Sequence, residues 1–120
     1  MPASNPKPAT ERLDRRRRRH PRYRGEFAVV VTVLMANRYE KLDGYSKDLS
    51  EAGIGILLAA EVTVGEVAGL SFSIPGGAPW EIKAVLRFRR GYHYGFEFLS
   101  LSAHQQQQLN LYLKTLVPID

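Results

Sequence analysis

Apolar residues recur at every second position through much of the chain, the period of extended backbone. In "FAVVVTVLMA" (27–36), Phe27, Val29, Val31, Val33 and Met35 share one parity while Ala28, Val30 and Leu34 fill the other, which predicts a strand covered on both faces. The polar stretch "NRYEKLDG" (37–44) predicts a loop, with Asp43-Gly44 as its turn signal. "YSKDLS" and "GIGILLA" (53–59) read as two extended pieces joined through Glu51-Ala52-Gly53. Ala68, Leu70, Phe72 and Ile74 then alternate with Gly69, Ser71 and Ser73, a half-buried strand, and "PGGAP" (75–79) turns the chain. Trp80, Ile82, Ala84, Leu86 and Phe88 form the apolar face of the next strand. "RGYHYG" is a second turn, which places His93 on the surface, and Tyr94, Phe96 and Phe98 line a last strand.

The period changes at the end of the chain. "SAHQ" (102–105) is a Ser-x-x-Gln capping box, in which the Ser102 hydroxyl accepts from a helix N–H and Gln105 reaches back. Leu109, Tyr112, Leu113 and Leu116 follow at i, i+3, i+4 and i+7, one apolar stripe, and Pro118 stops the helix. About six short strands and one C-terminal helix predict an all-β-dominated fold: a small antiparallel barrel whose helix stripe closes one end or docks a partner.

A chain of 120 residues, 44% of them hydrophobic, suits one domain with one core. The opening "MPASNPKPATER" lacks the apolar run of a signal peptide, and no stretch approaches the ~18 residues of a membrane span, so membrane insertion is not expected. With no cysteine there is no disulfide and no thiolate metal site, which fits a reducing cytoplasm. The net charge of +5 divides unevenly. Residues 1–24 hold nine Lys/Arg against Glu11 and Asp14, a balance of +7, and the rest of the chain is slightly acidic at −2. A general nucleic-acid binder spreads its positive charge over a face of the folded body; here the basicity is local.

That local charge is "DRRRRRHPRYRGE" (14–26), seven arginines in thirteen positions immediately before the first strand. A solvated arm is the ordinary reading of such a block. A groove-binding helix is opposed by Pro21, which disfavours helical backbone at His20 and removes a donor. Arg18, Arg22 and Arg24 then lie on extended or turning backbone, where equal parity points them to one side. A second signal is "DLSEAG" (48–53). Asp48 and Ser50 leave the same face of an extended piece, one an acceptor-only carboxylate and the other a hydroxyl that donates and accepts. Gly53 permits a turn with positive φ and leaves room for close approach to the backbone. Its bland reading is a hairpin turn rich in Asp and Ser. Catalytic constellations are absent: the three histidines show no metal-ligand spacing, and there is neither a nucleophile elbow nor a phosphate loop. No enzyme activity and no metal are expected.

Together the two signals are far more specific. Arg18-x-x-x-Arg22 before a first strand, followed by Asp48-x-Ser50-x-x-Gly53 before "IGILL", resembles the PilZ domain family, whose signature for binding cyclic di-GMP these motifs are. The likeness runs from about Arg15 to Pro118 and includes "LSFSIP" and "YGFEFLSLS". Arg17 matches members with a further ligand-facing arginine. The resemblance implies a six-stranded antiparallel β-barrel with a C-terminal α-helix over residues 15–118, a flexible tail over 1–14, and no catalysis. It implies ligand contacts from Arg17, Arg18, Arg22, Asp48, Ser50 and Gly53, with Arg17 favouring two stacked nucleotides per domain. The length of the arginine block leaves open which of Arg15 to Arg19 fills each motif position, and Pro21 anchors the register on Arg22.

The residue chemistry agrees with that implication. Cyclic di-GMP carries two phosphates and two guanines, and the rigid fork of arginine matches phosphate or the guanine O6/N7 edge and stacks on the base. Asp48 can accept guanine N–H groups, and Ser50 can bridge to phosphate or base. The resulting expectation is a bacterial, cytoplasmic cyclic di-GMP receptor that needs no cofactor and passes the level of this second messenger to an unidentified protein effector. Two rivals are a basic-armed small barrel that binds nucleic acid, which the charge distribution disfavours, and a degenerate PilZ adaptor that binds no ligand, which the two complete motifs disfavour.

Overall fold

The computed structural model describes residues 20–74, 77 and 79–119. In chain order the elements are β1 (Arg22–Arg24), β2 (Ala28–Met35), β3 (Arg38–Leu49), β4 (Gly53–Leu58), β5 (Val67–Ser73), β6 (Pro79–Arg90), β7 (His93–Phe98), α1 (Ala103–Leu113) and β8 (Pro118–Ile119). Strands pair in the order β2-β5-β6-β7-β4-β3, and β3 returns to β2, which closes a six-stranded antiparallel barrel. The two short strands β1 and β8 extend the sheet from β3.

Alternation builds the core. Val29, Val31 and Val33 of β2, Ile54, Ile56 and Leu58 of β4, Leu70 and Phe72 of β5 and Tyr94 and Phe96 of β7 all point into the barrel. The helix closes it: Leu109 and Leu113 are buried in the same cluster, with Tyr112 and Leu116 packed beside them. Burying each of those two leucines contributes roughly 1.5–3 kcal/mol. The capping box forms as expected, with Gln105 N–H donating to Ser102 Oγ and Ser102 N–H to Gln105 Oε1, both at 3.0 Å.

Several features depart from the sequence pattern. Residues 37–44 are not a loop, since β3 runs from Arg38 and pairs with β2 residue for residue from Met35↔Arg38 to Ala28↔Tyr45. The connection is a tight turn with Ala36 at φ 51° and Asn37 at φ 68°, the left-handed geometry that matches strand twist. Tyr39, Lys41 and Asp43 lie on the outer, solvated face of the hairpin, while Arg38 and Glu40 share the parity of Leu42 at its turn end. On β2 only one face is covered, with Ala28 and Leu34 exposed. The helix ends at Leu113, before Pro118 can stop it; Thr115 Oγ1 and N–H both donate to the Tyr112 carbonyl. Pro118 instead enters β8, where Tyr23↔Pro118 and Arg22↔Ile119 are paired. Proline is tolerated there because the strand lies at a sheet edge.

Two bulges reset the alternation. In β3 the register shifts between Ser46 and Asp48, opposite Ile56 and Gly55. Leu42, Gly44 and Ser46 face inward before the shift and Leu49 after it, so Asp48 is turned outward. Ser46, fully buried, donates its hydroxyl to the Gly25 carbonyl at 2.5 Å, and its N–H bonds the Phe27 carbonyl. Those bonds stitch the break between β1 and β2 onto the bulge. In β6 the register shifts between Leu86 and Phe88. Phe88 therefore leaves the apolar face it shares by parity with Trp80 to Leu86 and turns outward.

Candidate functional site

The two bulges frame a groove on the outer face of the barrel. β1 runs antiparallel to the end of β3, so that Arg24 lies opposite Asp48 and Tyr23 opposite Leu49. The pairing continues across the sheet as Asp48↔Gly55, Gly55↔Gly95 and Gly95↔Phe88. One row thus crosses five strands, with two glycines at its centre and a turned-out side chain on either side of them. An open groove of about 290 Å³ lies along it, lined among others by His20, Arg22, Asp48, Ser50, Gly53, Gly55, Arg87, Phe88, Gly95 and Glu97.

The two central glycines make room for side chains that cross over them. A Cβ on Gly55 would stand 2.6 Å from Asp48 Oδ1 and 2.7 Å from His93 Nε2, and one on Gly95 would collide with the Phe88 ring. Gly53 has no positive φ, contrary to the turn expected from its sequence; a Cβ there would strike the Phe96 carbonyl across the β4–β7 pair. It is glycine so that two backbones can meet.

Of the six residues expected to contact ligand, Arg22, Asp48, Ser50 and Gly53 line this one groove. Arg17 and Arg18 lie outside the described residues. β1 sits between β3 and β8, and the Arg24 N–H bonds the Val117 carbonyl, so the backbone carrying Arg22 is held from both sides. His20 Nδ1 lies 2.8 Å from Glu51 Oε1, which ties the residue before Pro21 to the β3–β4 connection. The Ser50 hydroxyl accepts from the N–H groups of Ala52 and Gly53, both at 3.1 Å, and the Ser50 N–H donates to the Gly53 carbonyl at 2.9 Å. Its main work is to shape the turn that leads into β4. Of the two carboxylates that line the groove, Glu97 is paired with Arg87 and Asp48 stands on the side of Arg22 and Ser50.

Sequence reasoning missed three further contributors. Arg87, the extra residue of the β6 bulge, pairs through Nε with Glu97 Oε1 at 2.6 Å on the far wall. Phe88 lies over Gly95. His93 is no turn residue: it opens β7, on the same outward parity as Gly95, with Nε2 3.7 Å from Asp48 Oδ2 and its ring beside Phe88 at 5.8 Å between centroids. Gly55 and Gly95, glycines inside strands, were the available signal, since an interior glycine marks close approach.

The arrangement suits a flat, anionic ligand. The Phe88 ring over Gly95 offers an apolar face to a planar group, the fork of Arg22 can match a phosphate, and Asp48 offers acceptors for N–H donors. Among the described residues no group of three or more His, Asp or Glu is placed to hold a metal ion, and no helix is long and apolar enough to cross a membrane.

Known proteins share this architecture. The chain resembles the PilZ domain with c-di-GMP of YcgR from Escherichia coli at 22% identity and TM-score 0.65, covering 83% of this chain and 91% of that one. It resembles the Bacillus subtilis inhibitor of motility MotI/DgrA at 22% identity and TM-score 0.65, covering 82% of this chain but only half of that protein. The PilZ domain of CeSA from a cellulose-synthesizing bacterium aligns at 14% identity and TM-score 0.61, over 78% of this chain and 95% of the other. No curated protein matches the chain. Its sequence fits the PilZ domain profile over residues 16–115, and with the barrel, the capped helix and the outward groove in place, the chain belongs to the PilZ domain family.

Proposed function

We propose that the groove binds cyclic di-GMP and that the chain is a non-enzymatic receptor, relaying the level of this second messenger to a protein partner. The observation that carries this reading is the convergence of Arg22 from one stretch with Asp48, Ser50 and Gly53 from another on a single groove. The PilZ domain of YcgR, which shares the barrel, is a complex with c-di-GMP. Arg17 and Arg18, five and four residues before β1 in the sequence, are assigned to the cationic side of the site, Arg18 by the R-x-x-x-R motif and Arg17 as the arginine preceding it. Charge-assisted bonds of about 1.5–3 kcal/mol each accumulate readily to the roughly 8 kcal/mol of micromolar binding. A cysteine-free chain reading a nucleotide messenger fits the bacterial cytoplasm.

The nucleic-acid reading is weaker because the positive charge is confined to the stretch up to Arg24, while residues 25–120 carry a net charge of −2 and offer no basic face to a phosphodiester backbone. Titrating cyclic di-GMP, GMP and a single-stranded oligonucleotide side by side tests the assignment. Saturable binding of the cyclic dinucleotide alone is expected. Preference for the oligonucleotide would establish the rival, and binding of none would leave the adaptor reading.

A further inference from the structure

We propose that His93 completes the recognition of guanine, its Nε2–H donating to O6 of the base whose N–H groups Asp48 accepts. The inference rests on the cyclic di-GMP reading above and names a specificity residue that neither arginine nor D-x-S-x-x-G motif contains.

The geometry comes from two strands that flank β4. Asp48 reaches over Gly55 from β3, and His93 reaches over it from β7. Their polar atoms meet above the same Cα, because a Cβ on Gly55 would be 2.6 Å from Asp48 Oδ1 and 2.7 Å from His93 Nε2. Between Nε2 and Asp48 Oδ2 the distance is 3.7 Å, too long for a full hydrogen bond, so the imidazole stands behind the carboxylate that lines the groove, close enough to reach a ligand atom beside it. A carboxylate only accepts, whereas an imidazole nitrogen that carries its proton donates. The pair therefore offers an acceptor beside a donor.

The Watson–Crick edge of guanine is the complement of that pair: O6 accepts, while N1–H and the 2-amino group donate. Adenine carries an amino donor where guanine has O6 and lacks the 2-amino group, so His93 would face a donor and Asp48 would lose its partners. A site built to bond a polar group rejects analogues that leave its own groups unpaired. Phe88, its ring centroid 5.8 Å from that of His93, gives the imidazole a wall to pack against.

The test is calorimetric titration of cyclic di-GMP and cyclic di-AMP into the wild-type protein and the variants His93→Ala, His93→Gln and His93→Leu, with thermal unfolding of each. Wild-type protein should bind the guanine ligand and not the adenine one. His93→Ala should weaken cyclic di-GMP binding about tenfold, as expected when an acceptor loses its donor. His93→Gln, which keeps an amide donor, should recover most of that loss, and His93→Leu, which keeps the packing on Phe88 alone, should not. Recovery by leucine equal to that by glutamine, or wild-type affinity in His93→Ala, would overturn the role of His93 while leaving cyclic di-GMP binding intact. Failure of the wild-type protein to bind cyclic di-GMP would instead remove the functional reading, and this inference with it.

Discussion

The carboxylate of Asp48 lies across Gly55, with Oδ1 2.6 Å from where a β-carbon on that glycine would stand. The neighbours at this point are the ends of two flexible side chains, Asp48 and His93. At Gly53 the neighbour is instead the backbone carbonyl of Phe96. The two glycines should therefore fail differently. Gly55→Ala should stay folded, since Asp48 and His93 can swing aside, but should bind cyclic di-GMP markedly more weakly. Gly53→Ala should lose about 1–3 kcal/mol of stability, the usual cost of overpacking. Chemical denaturation and ligand titration of both variants measure the contrast.

The arginines should also separate. Arg22 enters β1, whose backbone is fixed between β3 and β8, and it lines the groove. Arg22→Ala should abolish most cyclic di-GMP affinity, whereas Arg15→Ala should change it little beyond a weaker long-range attraction that disappears with added salt. Equal losses in calorimetry would indicate a diffuse cloud of charge with no defined site. Amide exchange should slow across residues 17–22 when ligand is added, if the arginine segment closes over it.

Away from the groove, Arg89 holds Glu61 in a forked pair with both N···O distances at 2.9 Å, and the guanidinium hydrogen bond pushes the Glu61 carboxyl below its ordinary value near 4.5. A depressed carboxyl contributes stability that is present above its unfolded-state pKa and is lost as pH falls through the lowered folded value. The wild-type protein should therefore lose a small increment of stability below about pH 4.5 that Glu61→Gln does not lose. The increment should shrink at high salt, because Glu61 is largely exposed. Melting temperatures of both proteins between pH 7 and pH 3 provide the comparison.

What the sequence made legible was governed by local rules. Alternation located β2 and the strands from β4 to β7, and Ser102 with Gln105 located the helix start, because each signal depends on neighbours a few residues away. The two motifs marked Arg22, Asp48, Ser50 and Gly53, and the fold brings these four together. Features set by strand partners stayed hidden. Phe88 continues the apolar parity of β6, and only its register against Gly95 reveals the bulge that turns it out. His93 follows a turn signal and belongs to no motif; its place beside Asp48 exists only because β4 lies between their strands. Tyr39, Lys41 and Asp43 face solvent from the hairpin's outer side, Arg38 and Glu40 lie at its turn end, and the turn that makes these residues a strand consists of Ala36 and Asn37 with no glycine.

Asp48 offers the sharpest separation between a reader of guanine and a general anion site. It carries the same sign of charge as the ligand phosphates, so a purely electrostatic groove should bind better once that charge is removed. A groove that reads the base needs the acceptor, and its loss leaves guanine N–H groups unpaired at about 1–3 kcal/mol. Asp48→Ala should therefore weaken cyclic di-GMP binding about tenfold or more, at about 1.4 kcal/mol per decade, and leave any oligonucleotide binding unchanged or slightly stronger. Thermal unfolding decides whether the turn is intact. The Ser50 hydroxyl, not Asp48, receives the N–H groups of Ala52 and Gly53, so the variant should melt close to the wild type. A folded Asp48→Ala protein that bound cyclic di-GMP as tightly as the parent would remove guanine reading from this groove and restore the nucleic-acid alternative.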